Sequence, residues 1–323
     1  EICACLVGSE MCIRDSYLSG INKGHKALYH LGAVLTIVAW GVSFVSTKVL
    51  LENGLQPTEV YIYRTFLAYM LVLMVCHKRI LSNSLRDEML FVACGLCAGS
   101  LYFIAENTAL EYTLVSNVSL IVTLAPLITT LLVGAVYKSE RPGRGVYIGS
   151  LVALTGVGFV IFNSSFVLDV NPLGDLLSLS AALSWAVYSL VLRKLNAFYS
   201  VMFISRKTFF YGMLTAIPFL MFQPVHTPLN VLLRAEVWPN FLFLGVFCSM
   251  LAFIIWAWAN KGLGAVKANN YLYFQPIVTL VASALFLGEK VSLIGYTGCG
   301  LILVGVWLSD RLSEFKNVSR KKK

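Results

Sequence analysis

Of the ionisable side chains inside apolar stretches of this chain, Arg64, Glu106 and Arg206 stand out, the last with Lys207 beside it. A charged Arg, Lys or Asp at the middle of a membrane helix costs about 2.5–3.5 kcal/mol on insertion scales, so such groups pair or face water. A guanidinium and a carboxylate in one interior can work as a gate, or bind and couple a proton or a charged substrate. Arg64 lies six residues from one end of its stretch, and Glu106 lies four residues from the matching end of the next. At 1.5 Å per residue these depths are ~9 Å and ~6 Å. The match predicts an Arg64–Glu106 ion pair, with Lys48 as a rival partner. A static pair, or snorkelling of Arg64 to the interface, is the plainer alternative. Arg206 mirrors Arg64 in the second half, but no carboxylate stands near Ile255 or Trp256 to receive it; snorkelling is again the alternative.

Polar and aromatic residues inside apolar stretches form a second set. Trp40, Ser43, Thr47, Tyr102, Asn107, Asn117 and Thr123 come from the first half. Trp185, Tyr188, Trp256, Trp258, Asn260, Asn270, Tyr273 and Gln275 come from the second. Amides and hydroxyls in a helix bundle bond across helices or to a ligand, and aromatic faces pack on apolar or cationic groups. Asn269-Asn270 and Gln275 precede Pro276, and Pro126 holds a similar place earlier. A proline that breaks the helix ladder frees carbonyls, which with amides make a polar site at mid-membrane. For any one of these residues, packing or interface belting is the competing role.

Other chemistries lack their residues. No HExxH, GxSxG or GxxxxGK[ST] is present, and His25, His30, His77 and His226 do not cluster. Cys94-Gly95-Leu96-Cys97 has CxxC spacing but no second ligand pair, which favours helix packing over zinc or redox work. No cofactor and no metal are expected, and no catalytic residue is assigned.

The elements that must position these groups are membrane helices. A crossing takes ~20 predominantly apolar residues. Ten stretches qualify: 28–51, 58–77, 88–110, 113–137, 145–163, 174–195, 200–222, 239–260, 265–287 and 291–309. Lys and Arg collect in alternate connections, from Lys78, Arg79 and Arg86 to the terminal Arg320-Lys321-Lys322-Lys323 run. Basic loops stay cytoplasmic, which puts both termini inside. Hydrophobic residues make up 58% of the chain and charged ones 13%, against about 25% charged in soluble domains. The expected class is therefore an all-α integral membrane protein. Its net charge of +9 reads as a cytoplasmic face meeting anionic membrane lipids, with no nucleic-acid partner.

The chain also repeats. Glu140 matches Glu289, Gly149 matches Gly298 and Gly156 matches Gly305, all at an offset of 149. Five spans per copy invert the second copy, an arrangement transporters use with a site between the copies. The expected layout is a first repeat at 17–165, a second at 166–312 and a basic cytoplasmic tail at 313–323. Residues 1–16 (EICACLVGSEMCIRDS) resemble the translation of a sequencing-library adapter, with a true start near Tyr17 to Lys23. The alternative is an unusual N-terminus or short signal peptide, for which a basic region before an apolar stretch is missing.

Trp40-Gly41-Val42-Ser43, Ser184-Trp185-Ala186-Val187-Tyr188, Ala109-Leu110-Glu111-Tyr112-Thr113 before Pro126, and Gly288-Glu289-Lys290 before Gly298 and Gly305 together resemble the EamA-type permeases of the drug/metabolite transporter superfamily. The likeness covers roughly 28–312. It implies ten transmembrane helices as two inverted five-helix repeats. Helices one, three, four, six, eight and nine would surround a cavity, with five and ten behind. It also implies a small-molecule substrate moved by alternating access, with proton coupling left open. The resulting expectation is a secondary transporter in a bacterial cytoplasmic membrane, exporting amino acids or related amphipathic metabolites, of open oligomeric state. A lipid-handling protein with a lateral groove, or a membrane enzyme with a titratable cluster, is the alternative.

Overall fold

The computed structural model describes residues 23–76, 80–112, 118, 121–137, 142–161, 171–222, 224–286 and 292–320. Among them every regular element is helical. The first repeat holds α1 (Lys23–Glu52), α2 (Pro57–Val75), α3 (Leu85–Gly95), α4 (Leu101–Tyr112), α5 (Ala125–Val136) and α6 (Arg144–Ile161). The second holds α7 (Pro172–Leu195), α8 (Val201–Ala216), the short α9 (Leu229–Leu232) and α10 (Trp238–Leu242), α11 (Ala252–Leu263), α12 (Ala265–Asn270), α13 (Gln275–Phe286) and α14 (Leu293–Arg320). Among the described residues, five continuous rods are long and apolar enough to cross a membrane: Lys26–Glu52, Pro57–Val75, Leu85–Ala109, Pro172–Leu195 and Trp238–Leu263. The protein is a multi-pass membrane protein by these rods.

Two rods carry a wide turn at matching places. A π-helical segment, Leu96–Ser100, joins α3 to α4, and another, Phe243–Leu251, joins α10 to α11. Phe91, Gly95, Leu101, Phe103, Ile104 and Ala109 reappear as Phe241, Gly245, Leu251, Phe253, Ile254 and Ala259 at an offset of 150. The two rods are therefore counterparts. Gly99, inside the first wide turn, has φ −116° and ψ −106°, where the rod kinks against α2 and α8.

Packing between the halves is reciprocal. α1 packs on α11 and α13, while its counterpart α7 packs on α4 and α5. α2 packs on the second wide turn, and α8 on the first. α6 and α14 pack on each other along their lengths. There the repeated glycines meet crosswise: a Cβ on Gly149 would lie 2.5 Å from the Gly305 carbonyl, and one on Gly156 would lie 2.7 Å from the Gly298 carbonyl. Small residues let membrane helices approach to backbone contact.

At one end a carboxylate ties the second half to the first. Glu59, in the first turn of α2, is buried and accepts from its own cap residue, Gln56 N, at 2.8 Å. It also accepts from His226 N at 2.7 Å, Thr227 N at 2.8 Å and Thr227 Oγ1 at 2.6 Å. A negative group at a helix N-terminus is favoured by the helix dipole. Glu59→Ala is expected to cost about 2–3 kcal/mol, because hydrogen bonds to charged groups are the strong ones. Thermal melting of the detergent-solubilised protein checks this.

Candidate functional site

The half of the bundle nearer Glu59 contains a cavity of about 50 Å³. That is room for several waters. Polar walls come from Ser43 and Thr47 on α1, Arg64 on α2, Tyr102, Glu106 and Asn107 on α4, Thr123 before α5, and Gln275 on α13. Aromatic walls come from Trp40, Phe44, Phe103, Trp185 and Phe253.

Arg64 and Glu106 face this space without touching each other. Glu106 Oε1 accepts from Tyr102 OH at 2.8 Å, one turn away on α4. Arg64 Nε donates to Ser249 Oγ at 2.8 Å, and its guanidinium lies 4.6 Å from the centre of the Phe103 ring. The expected direct ion pair is thus not formed. Lys48 does not replace Arg64 either: it sits exposed beside Glu52 at 3.9 Å. Ser249 belongs to the second wide turn, which is why spacing along either rod did not reveal it as the partner of Arg64.

Two counterpart pairs of rings form the floor. Trp40 and Trp185 meet edge to face at 5.2 Å. Phe103 and Phe253 lie 6.4 Å apart, and Phe253 lies 5.6 Å from Trp40. Such offset and edge contacts are the favoured geometries of aromatic pairs. Trp40 Nε1 donates to the Cys248 carbonyl at 2.9 Å, and Trp185 Nε1 to Asn269 Oδ1 at 3.0 Å. The wide turn in the second rod supplies the first of these carbonyls.

Beyond that floor, among the described residues, side-chain contacts hold the other half together. Lys207 and Tyr211 on α8 both bond Glu88 on α3. Tyr199 OH donates to Asp87 Oδ2 at 2.7 Å, and His30 Nδ1 lies 2.5 Å from Tyr271 OH. The Arg193 guanidinium sits 4.1 Å over the Tyr137 ring.

Eight of the fifteen expected cavity residues line the cavity: Trp40, Ser43, Thr47, Tyr102, Asn107, Thr123, Trp185 and Gln275. Asn117 lies outside the described residues. Six others lie elsewhere. Tyr188 and Trp256 are buried behind Trp185, at ring distances of 5.2 Å and 6.0 Å. Trp258 packs on Tyr29 at 4.4 Å, Asn270 bonds Ser309 at 2.9 Å, Tyr273 packs toward α6 and α14, and Asn260 is buried in α11. Arg206 is not at the cavity; its Nη1 donates to the Cys76 carbonyl, 2.5 Å away, at the far end of α2. A cation there is favoured by the helix dipole.

Pro276 stands within the helical run 265–286, where the 3-10 segment Tyr271–Phe274 interrupts the α-helical ladder, and Pro126 stands in the first turn of α5, after the turn at Thr123 and Leu124. Asn269 is consumed by Trp185 and Ser189, which leaves Gln275, with Asn107, as an amide at the cavity. Phe44, Phe103, Phe253 and Leu272 were missed as lining residues, although the offset of 150 marks Phe103 and Phe253 as a pair. Among the described residues no group of His, Cys, Asp and Glu could hold a metal ion, and Cys94 and Cys97 are free thiols.

Known proteins share this architecture. The model of the EamA-like transporter family matches residues 27–162 and again residues 172–309. An uncharacterized transporter of Archaeoglobus fulgidus is 27% identical over 87% of this chain and 96% of its own length. A probable terminal-alkyne amino-acid exporter of Streptantibioticus cattleyicolor is 25% identical over 90% and 95%. A probable amino-acid metabolite efflux pump of Escherichia coli is 23% identical over 86% and 93%. A crystal structure with 18% identity superposes over 88% of this chain and 97% of its own, with a TM-score of 0.70, and so shares the fold.

Proposed function

On the premise that this chain belongs to the EamA-like transporter family, we propose that it carries a small zwitterionic metabolite, an amino acid or a close derivative, out of a bacterial cell. Ten spans in two inverted repeats, 17–165 and 166–312, form the carrier, and both termini face the cytoplasm. Alternating access between the repeats exposes the cavity to one side at a time.

The observation that carries this reading is charge balance in the cavity. Arg64 and Glu106 line one buried space and each keeps capacity for a further bond. Glu106 spends one oxygen on Tyr102, and Arg64 spends its Nε on Ser249. A guanidinium takes a carboxylate through its fork, and a carboxylate takes an ammonium. A dipolar cargo satisfies both charges, whereas a cargo with net charge leaves a charge unmatched in low dielectric. The rings of Trp40, Phe103 and Phe253 receive the rest of the cargo. Two relatives named for amino-acid export support the class and the direction. The polar, charged lining argues against the lipid-handling alternative.

The test is counterflow in proteoliposomes with a panel of labelled amino acids, each run beside its methyl ester and its N-acetyl form. The zwitterion is expected to move and the two single-charge forms to fail. Equal movement of all three, or of none, overturns the reading. Mass spectrometry of the medium from expressing cells reads direction: one or a few amino acids should accumulate outside. Glu106→Gln reads coupling: if Glu106 carries a proton, the variant loses the pH dependence of transport.

A further inference from the structure

The counterparts of the cavity wall lie on α7, α8 and α11. Trp40, Ser43 and Phe44 on α1 correspond to Trp185, Tyr188 and Ser189 on α7 at an offset of 145. Arg64-Thr65-Phe66 and Met70-Leu71 on α2 correspond to Lys207-Thr208-Phe209 and Met213-Leu214 on α8 at an offset of 143. The counterpart of Arg64 is therefore Lys207 rather than its neighbour Arg206. Glu106 corresponds to Trp256 at the offset of 150 that pairs Phe103 with Phe253.

The aromatic members pack together below the shared ring floor. Trp256 lies 5.2 Å from Trp40 and 6.0 Å from Trp185, and Tyr188 lies 5.2 Å from Trp185. Tyr188, Ser189 and Trp256 are at most 2% exposed. Among the described residues, two side chains on this face of α11 find no hydrogen-bond partner: Trp256 at Nε1, and Asn260, one turn on, at both its polar atoms. A buried polar group left unsatisfied costs about 1–3 kcal/mol, and native proteins keep few without a reason. Water or a ligand reaching this face in another conformation is such a reason.

We propose that the sealed half holds a second cargo cavity, the two-fold counterpart of the open one, lined by Tyr188, Ser189, Lys207, Trp256 and Asn260. It opens when the Glu88–Lys207 pair parts. The inference rests on the alternating-access reading and adds the residues that the cargo meets on the other side. Lys207 takes the place of Arg64 and holds the cargo carboxylate as a point charge. Trp256 takes the place of Glu106, so the cargo ammonium meets a ring face instead of a carboxylate. The same cargo is thus held by two opposite charges on one side and by one charge and a ring on the other.

The test uses thiol accessibility in proteoliposomes containing the full chain, with modification of the parent protein subtracted. Thr47→Cys reports the open cavity and Ser189→Cys the sealed one, each challenged with a cationic methanethiosulfonate reagent. Thr47→Cys is expected to react fast and Ser189→Cys slowly. Adding Glu88→Gln should raise the Ser189→Cys rate about tenfold or more and slow Thr47→Cys, as a weakening of the closing pair by about 1.4 kcal/mol implies. If Glu88→Gln does not fold, saturating cargo is the second probe, since turnover must expose the same position. The proposal falls if Ser189→Cys stays unreactive under both conditions while counterflow of the cargo proceeds. Reactivity that follows Glu88→Gln without counterflow of any amino acid keeps the second cavity and removes the cargo assignment instead.

Discussion

Arg64→Gln is expected to cut counterflow of a zwitterionic cargo by about 10- to 100-fold, the equivalent of removing one charge-assisted hydrogen bond. The deficit should appear in the concentration dependence of transport, because the cargo carboxylate no longer has its anchor. Arg64→Lys should fall between the two, since an ammonium keeps the charge but not the planar fork. Stability is the control. Arg64 is 3% exposed, and its Nε bonds Ser249. Removing Arg64 alone leaves Glu106 unmatched in the buried cavity, so the stability control is Arg64→Gln/Glu106→Gln, which removes both charges and should melt near the parent. Impaired transport with stability retained assigns Arg64 to cargo. Transport retained leaves Arg64 as a helix tie through Ser249 and removes the zwitterion argument.

The second large effect is structural. Gly305→Val or Gly149→Val should prevent α6 and α14 from seating on each other. A Cβ on Gly149 would stand 2.5 Å from both the Gly305 carbonyl and the Ser309 nitrogen. These are backbone atoms, which cannot swing away as a flexible side chain can. Overpacking typically costs about 1–3 kcal/mol and occasionally more, and here the whole helix must lift. The expected result is disappearance of the monodisperse peak in detergent gel filtration, with no comparable effect from Gly158→Val or Gly300→Val. Nothing lies within 4 Å of a Cβ at either of those glycines.

How far the sequence alone leads can be judged from particular residues. Apolar stretch length and the Gly149–Gly298 and Gly156–Gly305 repeat made the helical membrane class and the duplication legible, because both are one-dimensional signals. Arg64 and Glu106 stood out because charge is conspicuous in an apolar run, and both face the cavity. Their partners were not legible. Each prefers a group on its own or a distant rod, Tyr102 and Ser249, to the opposite charge. Phe103 and Phe253 were invisible one at a time, since phenylalanine in an apolar helix is a common filler. Only their shared offset and their position at the floor of the cavity distinguish them. Trp256 and Tyr188 were read as cavity residues and lie in the closed half. Composition reports that a side chain is aromatic and inside, not which of two opposed halves is open.

The wide turns at Leu96–Ser100 and Phe243–Leu251 carry a last consequence, concerning phase. The first segment kinks at Gly99 and the second is a nine-residue π-helical stretch, and an α-helix advances about 100° per residue. Everything that follows such a segment is set by it, like the hands of a clock moved once. In the first rod that is Tyr102, Phe103, Glu106 and Asn107; in the second it is Phe253 and Trp256. Removing a single residue from either turn would leave the composition and hydrophobicity of the rod almost untouched. It would also rotate the whole downstream face away from the space it lines. The length of these two segments, counted to the residue, is therefore as much a functional parameter of this chain as the identity of any side chain within them.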